Sequence, residues 1–150
     1  MKPVESLITG SEKLADVFGR WPSFHDAEVT EFNLHRGAIN LHSDQWLFPT
    51  VVARIRVWEL IQEVNSSGHL VTRNHSVVTL RFIDLDELKL VGFNHQNAIL
   101  SLTIEQRERA DGPSPYFFVD FRPAYGLDAT FHCRGIEVLD IVPCHPTTPA

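Results

Sequence analysis

The side chains with the most chemical capacity in this sequence are adjacent pairs of unlike groups. His25-Asp26 sets an imidazole beside a carboxylate, and His132-Cys133 sets an imidazole beside a thiol. Such pairs can shuttle protons or ligate a metal, so a small metal-dependent hydrolase using His25 and Asp26 is one reading. Neighbouring residues on a regular strand point to opposite faces, however, so either pair can converge on one ion only where the backbone bends. A structural hydrogen-bonding role for His25 and Asp26 is the simpler expectation. Nucleophilic catalysis by Cys133 or Cys144, with His132, His145 or His25 as base, is weaker still. Cys133 alternates with Phe131 and Ala129, which predicts an inward thiol behaving as a small apolar group, and Cys144 sits among prolines. Two cysteines eleven positions apart form neither a metal knuckle nor a disulfide framework, so reduced thiols are expected. The chain has no glycine-rich phosphate loop, G-x-S-x-G elbow or H-E-x-x-H motif, and no cofactor is implied.

A third cluster is acidic. Asp84, Asp86 and Glu87 place three carboxylates in four residues but lack the spacing of a calcium loop, so a solvated turn is expected. With Asp111 they are the candidate steering charges toward a basic protein partner. Thirteen Lys+Arg against nineteen Asp+Glu give a net charge of −6, which repels phosphate backbones and argues against nucleic acid. No stretch approaches the ~20 apolar residues of a membrane span. The opening Met1-Lys2-Pro3-Val4-Glu5 lacks the character of a secretory signal, and a cytoplasmic location is expected.

The elements that must position these groups follow from periodicity. At 150 residues with 43% hydrophobic content and ten Phe, the chain can bury one core without staples. Leu14, Ala15, Val17 and Phe18 predict a helix over Ser11 to Phe18, closed by Gly19 and stopped by Pro22. Glu28 to His35 reads as a strand joined through His35-Arg36-Gly37-Ala38 in a hairpin with Ile39 to Phe48. Val51 to Trp58, His75 to Ile83, and Leu88 onward are further strands. In the next one, Ala98, Leu100, Leu102 and Ile104 are expected to share a buried face. Tyr116 to Phe121, Leu127 to Cys133 and Ile136 to Val142 complete the set.

No strand–helix alternation exists to build a parallel sheet. The expected fold is α+β: a short N-terminal helix followed by a predominantly antiparallel, curved sheet of about seven or eight strands. Residues 1–142 form one domain, and 143–150, rich in proline, a flexible tail. Trp46 and Trp58 are expected in the core or as exposed anchors. Tyr116, Phe117 and Phe118 put rings on both faces of one strand, which allows a homodimer there.

The most distinctive run is Gly19-Arg20-Trp21-Pro22-Ser23-Phe24-His25-Asp26-Ala27-Glu28-Val29. Trp21 and Phe24 can anchor the connection from helix to strand, Pro22 stiffens it, and Asp26 can accept backbone N–H groups or orient His25. This run resembles the signature of the immunity protein 50 family, small bacterial proteins predicted to neutralise polymorphic toxins. The resemblance covers about a dozen of the 150 residues. It implies a non-enzymatic cytoplasmic protein that binds a cognate toxin domain, with no catalytic residues and no cofactor. Trp21, Pro22, Phe24, His25 and Asp26 are then motif positions with a structural role. A purely structural or scaffolding domain is the blander reading.

Overall fold

The computed structural model describes residues 2–40, 42, 45–46, 48–108 and 115–146. A 3-10 turn, Val4–Leu7, precedes helix α1, Glu12–Phe18. Strands follow as β1 Glu28–His35, β2 Ile39–Asn40, β3 Gln45–Trp46, β4 Thr50–Val64, β5 Leu70–Ile83, β6 Asp86–Val91, β7 Ala98–Gln106, β8 Phe117–Tyr125, β9 Asp128–Cys133 and β10 Gly135–Pro143. Eight of them form one antiparallel sheet in the order β10-β5-β4-β1-β7-β8-β9-β6. The expected α+β class, a short helix followed by a curved antiparallel sheet of about seven or eight strands, is the observed one, with eight strands in the sheet.

The sheet curves because alternate residues along the central parts of its long strands are apolar and must cover one another. Val51, Ala53, Ile55 and Val57 of β4, Val78, Leu80 and Phe82 of β5, and Phe117, Val119 and Phe121 of β8 are all buried. Phe82 meets Phe121 and Phe131 edge-on, with ring centroids 5.9 and 5.0 Å apart. In sheet order β5 lies four strands from β8, so that contact passes through the concave interior. The β5/β10 ladder also continues past Asp84 and Arg134 as the β6/β9 ladder, because β6 follows β5 and β10 follows β9 almost without a break.

The edge strand β10 is covered rather than left open. Thr9 pairs with Glu137 in a parallel bridge, and Lys13 Nζ donates to the carbonyls of Val138 and Leu139 at 3.4 and 3.2 Å. Gly10 makes this approach possible: at φ 79° a Cβ would stand 2.7 Å from the Val138 carbonyl oxygen.

Two local expectations are corrected. The partner of β1 is β4, registered from Glu28 opposite Arg56 to His35 opposite Thr50, whereas β2 and β3 pair with each other in a separate two-stranded ladder. His42, Ser43, Asp44 and Gln45 interrupt the apolar alternation that a core strand needs, while β4 supplies it without a break. In β7, a register shift between Ile99 and Ser101 turns Leu100 outward, 42% exposed, so Ile99 rather than Leu100 joins Leu102 and Ile104 inside. Residues 109–114, with Asp111, lie outside the described residues, as does the side chain of Trp46. β10 runs through Pro143, and Cys144 N–H still donates to the His75 carbonyl at 2.9 Å.

Candidate functional site

The distinctive run folds as a strained connection. Gly19, at φ 78°, caps α1 and donates to the Ala15 carbonyl at 2.7 Å. Phe24 and Asp26 then adopt left-handed backbone angles, φ 59° and 64°, which are rare for a bulky side chain. Ala27 N–H donates to the Phe24 carbonyl (3.1 Å) and Asp26 N–H to that of Ile99 (2.9 Å), so the turn is tied to β7 before β1 begins. Burial holds it in place: Phe24 is 1% exposed, its ring 5.6 Å from that of Trp21.

The two left-handed residues put His25 and Asp26 on the same side, the bend that convergence requires. His25 Nδ1–H donates to the Leu100 carbonyl at 2.9 Å, which fixes the proton on Nδ1 because a carbonyl can only accept. Nε2 then lies 3.5 Å from Asp26 Oδ2, and both side chains are about half exposed. The outward bulge at Leu100 is what presents that carbonyl.

The other reactive groups do not join this pair. Among the described residues, no group of three or more His, Cys, Asp or Glu side chains is placed to hold a metal ion. His132 lies on the outer face, stacked on Tyr116 (5.1 Å, 8°) and against Phe118 (5.1 Å), while Cys133 points into the core. Burial pushes the Cys133 thiol up to about 12, so it stays protonated. Phe118 is covered on the outer face by the Arg107 guanidinium, 5.0 Å from its centroid.

The acidic cluster is a corner of the sheet more than a free turn. Asp84, at φ 62°, pairs with Arg134 at 3.0 Å, and Asp86 opens β6 opposite His132. Glu87 lies 3.7 Å from His132 Nδ1 and is the most open of the three, its side chain 68% exposed. Beside them is an apolar hollow of 370 Å³ reaching Leu34, Pro49 and Leu88.

A second cavity adjoins the distinctive run. Its 240 Å³ is bounded on one side by Arg20, Pro22 and His25 and on the other by Trp58, Glu59 and Arg73. The far wall belongs to an arm: β4 pairs with β1 only as far as Arg56, and β5 with β10 only from Ser76. Beyond those points the two strands continue together to the loop at 65–69, leaving Leu60, Val64 and Leu70 exposed. Asn74, at φ 55°, bulges β5 and stacks His75 on Trp58, 5.7 Å apart at 19°. Arg73 and Asn74 both donate to Glu59 Oε2, at 2.8 and 3.0 Å.

Sequence reasoning missed Asn97, which is 3% exposed. Its Oδ1 accepts from the N–H groups of Asn94 (3.0 Å) and Leu127 (3.2 Å), and its Nδ2 donates to the carbonyls of Val29 (3.2 Å) and Asn94 (2.9 Å). The only signal was the polar run Asn94-His95-Gln96-Asn97, which reads as a loop. The arm was missed because residues 59–75 carry mixed polar side chains with no clean period.

No curated protein and no solved structure matched the chain. The family model for immunity protein 50 matches residues 10–144, spanning α1, the strained connection and the whole eight-stranded sheet. The chain therefore belongs to the immunity protein 50 family.

Proposed function

We propose that this protein acts in the cytoplasm as a stoichiometric inhibitor that binds a cognate toxin domain and blocks its active site or substrate path. Membership of the immunity protein 50 family across residues 10–144 carries this reading and gives an immunity function in general terms. The geometry is compatible with binding rather than turnover: His25 commits one nitrogen to a backbone carbonyl, and Cys133 is locked as a buried thiol. Glu87, the most open carboxylate of the acidic corner, is the residue best placed to steer a basic partner.

The test is co-expression with the toxin domain encoded beside the gene, scoring survival of the cells and co-purification of a complex. Survival with a stable complex supports the reading, and failure of both removes it. Glu87→Lys should then slow association with the purified toxin at low salt and leave dissociation nearly unchanged. An unchanged association rate would show that this corner does not steer.

A further inference from the structure

We propose that the cavity between the strained connection and the β4–β5 arm receives a glutamate or aspartate side chain from an extended segment of the partner protein. This rests on the reading of the protein as a toxin-binding inhibitor.

Charge comes first. The chain as a whole carries −6, yet this cavity is locally cationic. Glu59 is the carboxylate in its wall, 20% exposed in its side chain, and it is offset by Arg73. Arg20, on the opposite wall, is exposed and has no ion pair among the described residues. A guanidinium without an ion pair in the lining of a cavity suits one carboxylate, which it can hold through two parallel hydrogen bonds.

The walls point the same way. Pro22 and Trp58 add apolar surface to the lining that holds the charge, which fits the methylene stem of an acidic side chain. A phosphate has no such stem, carries more charge, and among the described residues of the lining would find one guanidinium outside an ion pair. The cavity also lies beside a strand edge: past Arg56, β4 no longer pairs with β1, and among the described strands β5 is its one partner, at Val57, Glu59, Leu60 and Val64. An extended segment can add to that edge through main-chain hydrogen bonds while one of its side chains enters the cavity.

The experiment uses the whole chain labelled with ¹⁵N. It is titrated separately with a short β-forming peptide bearing one central Glu, with the same peptide bearing Gln, and with inorganic phosphate, reading the Trp58 indole and the His25 amide. The Glu peptide should give saturable shifts at both, about tenfold weaker for the Gln peptide or for Arg20→Ala, as a charge-assisted pair implies. Equal binding of the Glu and Gln peptides, or tighter binding of phosphate, would overturn the proposal. In parallel, Arg20→Glu is tested against the toxin domain. A toxin affinity that Arg20→Glu leaves unchanged would overturn the proposal while the inhibitor reading stands. Peptide binding that depends on Arg20, with no toxin binding by the wild-type chain, would instead remove the inhibitor reading and keep the carboxylate site.

Discussion

Replacing Phe24 tests whether the strained connection is held by its aromatic anchor or by its polar pair. Phe24 is 1% exposed and packs on Trp21, so truncation to Ala removes a fully buried ring and leaves a cavity. Core substitutions of this kind cost about 3–5 kcal/mol. For a domain of this length each kcal/mol moves the midpoint by roughly 2–4 °C, so Phe24→Ala should lower Tm by about 6–20 °C. The backbone adds a finer prediction. At φ 59° an Ala keeps the left-handed penalty of about 1 kcal/mol or more, and a Gly does not. Phe24→Gly should therefore be at least as stable as Phe24→Ala, the reverse of the usual order in regular structure, where Gly is worse by about 0.5–1 kcal/mol. By contrast His25→Ala, which loses one hydrogen bond from a half-exposed ring, should cost only about 0.5–1.5 kcal/mol. Urea denaturation of the three variants checks all of this. A Phe24→Ala variant within 1 kcal/mol of wild type, or a Gly variant clearly below it, would refute the reasoning.

Asn97→Ala should be strongly destabilising, by about 2–4 kcal/mol, because two backbone N–H groups and two carbonyls lose their partner in a buried site; denaturant midpoints read this directly. The ring of His75 is pushed below its ordinary value of 6.5 by burial and by Arg56 and His145, so the unfolded chain takes up this proton first as pH falls. Its contribution to stability is present above about pH 6.5 and is lost below it, and His75→Gln should flatten the wild-type decline in Tm measured between pH 7 and 5. Of the two free thiols, Cys144 should react with a thiol reagent in the native protein while buried Cys133 reacts only on unfolding; two fast native thiols would contradict the packing.

Local signals were legible where one element's own side chains decide its structure. The helix end at Gly19, the start of β1 at Glu28 and the inward Cys133 all follow from caps and period-two alternation. What escaped depends on residues far apart in sequence. The choice of β4 over 39–48 as the partner of β1 is a competition between two strands for one edge, and sequence spacing favours the wrong one. Leu100 turns outward where β7 takes a register shift against β8, next to the pairing of Ile99 with Pro123, a residue that has no N–H to give the ladder. The site was half legible for the same reason. Arg20 to Asp26 announced themselves as a run, but Trp58 and Arg73 reach the same cavity only because β4 and β5 outgrow their neighbours.

The motif also divides along its length into two kinds of residue. Pro22 and Phe24 are buried and Trp21 is half-buried, whereas Arg20, His25 and Asp26 are exposed. Holding the fold makes no use of Arg20, which has no ion pair among the described residues, and binding alone makes no use of a strained, buried Phe24. The two halves adjoin: the aromatic half holds the turn, the turn brings His25 to the Leu100 carbonyl, and Arg20 lines the same cavity as Pro22, His25 and Trp58. Substitution in the buried half should therefore lower stability and binding together. Substitution of Arg20 should leave the unfolding free energy within about 0.5 kcal/mol of wild type and lower binding alone. If Arg20→Ala unfolds the protein as readily as Phe24→Ala, the two halves are not separable, and the whole run is a structural element.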